Sequence, residues 1–154
     1  MSEKTSVASI ALVLALTAGG AVAATSVEKA VSLRQAGYKE TGKSFKAIND
    51  ELKKDAPDTK LIAAEAKKVH GFSLAIPKWF PKGSGPESGL KTRAKADIWA
   101  EPAKFAEATK AFQVESQKLR VAAGKGDIEA IKLQVKATGG SCGGCHKPFR
   151  AEEK

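Results

Sequence analysis

Residues Ser141 to Arg150 read Ser-Cys-Gly-Gly-Cys-His-Lys-Pro-Phe-Arg and contain both cysteines of the chain and one of its two histidines. Two thiols three residues apart, followed at once by an imidazole, is the spacing at which cysteines add to the vinyl groups of a haem. The histidine then takes the iron as proximal ligand. On a helix, residues three apart share a face, so Cys142 and Cys145 can reach neighbouring vinyls while His146 tips under the porphyrin. Two other chemistries use Cys-x-x-Cys: a thioredoxin-like redox pair wants a strand-turn-helix setting, and a structural zinc site wants two further Cys or His ligands. The stretch before Cys142 reads as helix, and His70, the only other histidine, cannot complete a four-ligand set. One covalent haem c is the expected cofactor, with Cys142 and Cys145 as its anchors and His146 on the metal.

The start of the chain agrees with that chemistry, because haem is attached to exported thiols in the bacterial periplasm. Lys4 precedes an apolar run from Val7 to Ala18, and Gly19-Gly20-Ala21-Val22-Ala23 follows with small residues in the Ala-x-Ala pattern. This is the form of a secretory signal peptide. The run is about twelve residues long, where a spanning helix needs about twenty. Residues 1–23 are expected to be the signal, cut after Ala23 or Ala24, and 24–154 a single periplasmic domain that does not span the membrane.

The formal net charge of the 154 residues is +9. Lys and Arg are scattered along the chain and interleaved with Asp and Glu, which is how solvated helix faces look. Export weighs against nucleic acid, and an acidic redox partner protein stays open as a docking partner.

Four helices are expected to position the motif. Thr25-Ser26-Val27-Glu28 has the form of a capping box and predicts a helix start, after which Val31, Tyr38, Phe45 and Leu52 recur every seven residues with Ile48 beside them. Asp55-Ala56-Pro57-Asp58 combines a capping residue, a proline and a first-turn acid, announcing a second helix with Ile62, Ala66, Val69, Phe72 and Ile76 on its apolar face. A short turn joins these two, which favours antiparallel neighbours. From Pro77 to Pro102 prolines and glycines break the periodicity, giving a long connection that holds Trp79, Phe80 and Trp99. These aromatics are expected to pin the loop to the bundle. A third helix begins near Pro102, carries Phe105, Phe112 and Leu119, and ends at Ala123-Gly124-Lys125-Gly126. Asp127 caps the last helix, with Ile128, Ile131 and Val135 on one face and the haem motif at its end. Pro148 is expected to bend or restart the final turn.

Together these features resemble the class II c-type cytochromes, the cytochrome c′ and cytochrome c-556 group. The carrying residues are Arg34-Gln35, the loop from Phe80-Pro81 to Lys91-Thr92-Arg93-Ala94, Ile98-Trp99, Ala123 to Asp127, and Cys142 to Arg150. The resemblance implies an all-α, antiparallel up-and-down four-helix bundle with a long loop between helices 2 and 3 and covalent haem near the C-terminus. It implies that Arg34 and Gln35 approach the haem and its propionates and that Arg150 lies by the proximal face. Where low-spin members carry a methionine ligand, this chain has Tyr38, and its single methionine is Met1. Tyr38 then stands where high-spin members place a cover over an empty sixth site. A tyrosinate ligand would need a phenol with a pKa near 10 to lose its proton. Lys39, about 100° around the helix from Tyr38, and His70 are weaker candidates for that position. The expected function is electron transfer, with nitric oxide or carbon monoxide binding at an open sixth site as the alternative. A peroxidase needs a distal acid-base residue, and Tyr38 is a poor one, so an enzyme is not expected. Homodimers through the first two helices are common in that family and are left open here.

Overall fold

The computed structural model describes residues 18–152, with side chains from residue 26 onward. The expected signal therefore falls largely outside the described residues. Helix α1 spans Ala18–Glu51, α2 Thr59–Ala75, α3 is a single turn at Asp97–Ala100, α4 spans Pro102–Lys125 and α5 Ile128–Phe149. The long helices α1, α2, α4 and α5 make the antiparallel bundle, with α1 packed on α2, α2 on α4 and α4 on α5. Among the described residues no helix is long and apolar enough to cross a membrane.

The heptad spacing becomes the core. Ile48, Ile62, Val69, Leu119 and Ile131 are fully enclosed, each worth about 1.5–3 kcal/mol of transfer free energy. Tyr38, Phe45 and Leu52 of the same α1 stripe are only partly covered.

Two helix starts differ from the sequence reading. Helix α1 already runs at Ala18, so Thr25 lies inside it and is no cap; a capping residue must leave helical geometry, and the alanines upstream favour continuing it. At α2 the cap is Asp58, whose carboxylate accepts from the amides of Lys60 and Leu61 at 2.9 and 3.0 Å. Asp58 is thus not a first-turn acid, and Pro57 stands outside the helix. Asp127 caps α5 as expected, accepting from the Ala130 amide at 3.0 Å. Gly126 ends α4 at φ +71°, a left-handed conformation that a side chain would strain.

Helix α5 continues through Pro148 to Phe149 without a restart. Pro148 lies one residue from the end, so only one helical bond is forgone, and the following residues are tied elsewhere. The Lys95 amide donates to the Phe149 carbonyl at 3.0 Å and the Ala151 amide to the Arg93 carbonyl at 2.8 Å. The long connection is thereby stitched to the end of α5. Trp99 fastens it internally, its indole N–H shared between the Phe80 and Pro81 carbonyls at 3.2 and 3.1 Å.

Candidate functional site

Between α1 and α5 the bundle opens into a cavity of about 780 Å³. One wall is the end of α5, where Cys142 and Cys145 lie on the same face with His146 beside them; all three are partly buried. The rest of the lining comes from Gln35, Tyr38 and Phe45 of α1, Val69 of α2, Ile98 of α3, Phe105 and Phe112 of α4, and Phe80 and Thr92 of the long connection. Phe80, Phe105 and Phe149 line up edge to face, with centroids 4.9 and 5.2 Å apart.

Burial is the largest cause of the shifts at Tyr38, Cys142, Cys145 and His146. It pushes the Cys145 thiol up to about 11, aided by the neighbouring Cys142. Cys142 is likewise raised by burial, against a smaller opposing effect of Arg150. A thioredoxin-like pair shows the reverse, a lowered thiol pKa, and among the described residues no three His, Cys, Asp or Glu side chains are placed so that they could together hold a metal ion. His146 is lowered by burial first and then by the Arg150 and Arg93 guanidinium groups. Its imidazole is therefore neutral, with a lone pair free for a metal. Tyr38 is raised well above its ordinary value, by burial first and by the Cys145 and Cys142 sulfurs, while Arg34 opposes the shift. The phenol keeps its proton.

Arg34, at 3% exposure, is more than a rim cation. Its guanidinium donates to the Ser84 hydroxyl at 3.0 Å, the Ser84 carbonyl at 2.6 Å and the Thr92 hydroxyl at 2.7 Å, and lies 5.0 Å from the Phe80 ring centroid. Gln35 donates to the Lys91 carbonyl at 2.7 Å. Both residues border the cavity, yet the contacts they make tie the loop to α1. Ser84 was not singled out by sequence; its partner is 50 residues away, and no local pattern reports such a pairing. Phe105 and Phe112, read as plain core, also line the cavity, because a seven-residue step marks an inward face without saying what fills the interior.

Arg150 is exposed and borders both this cavity and a smaller cleft that it shares with His146, Arg93, Lys95, Lys147 and Glu152. Lys39 borders the cavity from an exposed position on α1, closer than its angular offset suggested. His70 lies elsewhere, between α2 and α4, with Nδ1 3.3 Å from the Ser116 hydroxyl. It is not among the residues lining the cavity.

A flat, apolar macrocycle carrying two acids matches these walls. Aromatic and aliphatic side chains cover its faces, two thiols and an imidazole stand at one end, and Lys39, Arg93 and Arg150 offer charge at the rim.

A family model described as Cytochrome C′ matches residues 29–150. The chain is similar to the cytochrome c′ of Rhodospirillum rubrum, with 34% identity over 144 residues, 93% of this chain and 96% of that one. Among solved structures it is similar to a nitric oxide complex of a variant cytochrome c prime from Alcaligenes xylosoxidans, at TM-score 0.74 and 27% identity over 82% of this chain and 97% of that one. A cytochrome c′ with an unusual ligand-controlled dimer dissociation shares the fold at TM-score 0.77 and 23% identity, over the same shares of the two chains.

Proposed function

From the premise that the chain belongs to the cytochrome c′ family and carries one covalent haem c, we propose a periplasmic binding protein for diatomic gas. In this reading Cys142 and Cys145 would hold the haem through thioethers and His146 would be the only protein ligand of the iron, leaving the iron free to take a small ligand. The haem, when bound, supplies a one-electron couple and an axial position for a small ligand.

The observation that supports the open site best is Tyr38. It is the α1 residue facing the cavity where a sixth ligand would come from, and burial holds it as a neutral phenol. The chain's only methionine is Met1, and His70 is engaged in another seam. Tyr38 then covers the open face and limits what fits beneath it, while Arg34 and Gln35 hold the loop closed and keep water out. His146 would meet the metal as a neutral imidazole, since burial first and the Arg150 and Arg93 charges second oppose its protonation. The nitric oxide complex of the Alcaligenes xylosoxidans relative supports the same use here.

Optical and electron paramagnetic resonance spectra of the purified holoprotein, ferric and ferrous, with and without carbon monoxide, test the reading. High-spin signals and a carbon monoxide shift are expected. A low-spin spectrum indifferent to carbon monoxide overturns it, and leaves the second reading, single-electron transfer to a partner of acidic surface.

Export through residues 1–23 belongs to the same proposal and is checked by N-terminal sequencing of the periplasmic form. So does a homodimer through α1 and α2, which expose Leu33, Leu61 and Leu74. Sedimentation with and without carbon monoxide reads its association.

A further inference from the structure

Gly37 and Trp79 have no part in the haem chemistry, yet they meet directly behind the one residue proposed to cover the open site. Gly37 precedes Tyr38 on α1, in mid-helix, where glycine costs helix stability relative to alanine. Its use there has a steric reason. A Cβ built on Gly37 would stand 2.3 and 2.5 Å from two carbons of the Trp79 indole, well inside the separation of about 3.5–4.0 Å at which carbon atoms pack. The indole thus fills a notch that only glycine leaves open. Trp79 is 9% exposed, and its ring meets Tyr38 edge to face, 5.2 Å between centroids at 78°. The Phe80 ring is tilted against Tyr38, with 6.4 Å between centroids. These separations fall in the range of favourable aromatic pairs.

We infer that Trp79, seated in the Gly37 notch, is a positioning residue for Tyr38, a backstop that keeps the phenol ring over the cavity and so sets the room left for a diatomic gas. The inference rests on the open-site reading above. Trp79 is not among the residues lining the cavity, whereas Tyr38 is, so its action passes through Tyr38. Without the indole a void opens behind the ring, and the ring can recede into it.

The test uses the holoprotein and two readouts. Carbon monoxide affinity of the ferrous form is measured for Trp79→Leu, Tyr38→Ala and the double variant. Trp79→Leu is expected to tighten binding about tenfold, and to add almost nothing once Tyr38 is alanine, since contacting residues couple on this scale. The chain has a single tyrosine, so 3-fluorotyrosine incorporation places one fluorine probe at Tyr38, and its resonance reports ring position and flipping whether or not gas binds. Trp79→Leu should shift and sharpen that resonance. Gly37→Ala should perturb it in the wild-type background and leave it unchanged in the Trp79→Leu background, where the added methyl has room. Trp79→Phe serves as the milder variant if Trp79→Leu does not fold.

A fluorine resonance indifferent to Trp79→Leu, with only a lowered melting temperature, overturns the inference and makes Trp79 a loop pin. If no form binds carbon monoxide, the open-site reading falls, and the fluorine spectra alone then decide whether Trp79 positions Tyr38. A carbon monoxide gain in Trp79→Leu that persists undiminished in the Tyr38→Ala background also overturns it, because the effect would not pass through Tyr38.

Discussion

Between α2 and α4 the interior is closed. Ile62, Ala66 and Leu119 are fully enclosed there, and even the hydroxyls of Ser73 and Ser116 are fully buried and bonded to each other at 3.0 Å. Between α1 and α5 the corresponding stripe residues, Tyr38, Phe45, Cys142 and Cys145, remain partly covered around an open volume. Both seams arise from the same seven-residue spacing on helices of similar composition. Amphipathic periodicity therefore says which face turns inward and not whether protein or a cofactor meets it there. The closed seam can hold itself; the open one depends on what it contains.

Removing the cofactor gives the largest expected effect on that comparison. Cys142→Ala with Cys145→Ala should release the haem into acid-acetone extracts, where the unmodified protein retains it. In the resulting apoprotein, amides of α1 and α5 should exchange with solvent more than about tenfold faster relative to those of α2 and α4 than they do in the holoprotein. Equal loss of protection in all four helices would show that the two seams are one cooperative unit.

Single truncations sharpen the contrast. Leu119→Ala removes a fully enclosed side chain of α4 and should cost about 2–5 kcal/mol in urea unfolding while leaving the haem spectrum unchanged. Phe45→Ala, on the cavity wall, should cost about 1–2 kcal/mol and shift the absorption bands. Arg34→Leu lies between them. It strips partners from the Ser84 and Thr92 hydroxyls and the Ser84 carbonyl, which should cost about 1–3 kcal/mol. It should also expose the loop of residues 80–96 to limited proteolysis.

The same contrast explains how much of the molecule could be read from its sequence. The four long helices, the Asp127 cap, the Gly126 stop and the heme-motif wall rest on local signals, and each was legible. The cap at Asp58 shifted by three residues from Asp55 because several residues of that turn could serve. The Arg34–Ser84 contact and the Gly37–Trp79 notch join α1 to the long connection across 50 and 42 residues of chain. Such pairings depend on how the loop folds back, and a single sequence carries no period that reports them. Tyr38 was placed opposite the haem motif by resemblance; its burial and raised pKa are properties of the assembled walls.

The smallest effect expected belongs to the closed seam. His70 is lowered from its ordinary value near 6.5, by burial first and by the Arg120 charge second. The unfolded chain therefore binds this proton more readily than the folded one. Stability from this group is complete above about pH 6.5 and is lost as the pH falls below it. The carboxylates Asp50, Glu51, Glu65 and Glu115, which are also lowered, titrate in the unfolded chain near 3.8 and 4.5. Urea midpoints between about pH 7.5 and 5.5 therefore separate histidine from these carboxylates. His146, once bound to iron as proposed, does not take up a proton in that range, which leaves His70 as the titrating residue of the two. The midpoint should fall across this window, and His70→Gln should flatten the fall. An unchanged slope in His70→Gln would show that the pH response does not arise from His70 or the closed seam.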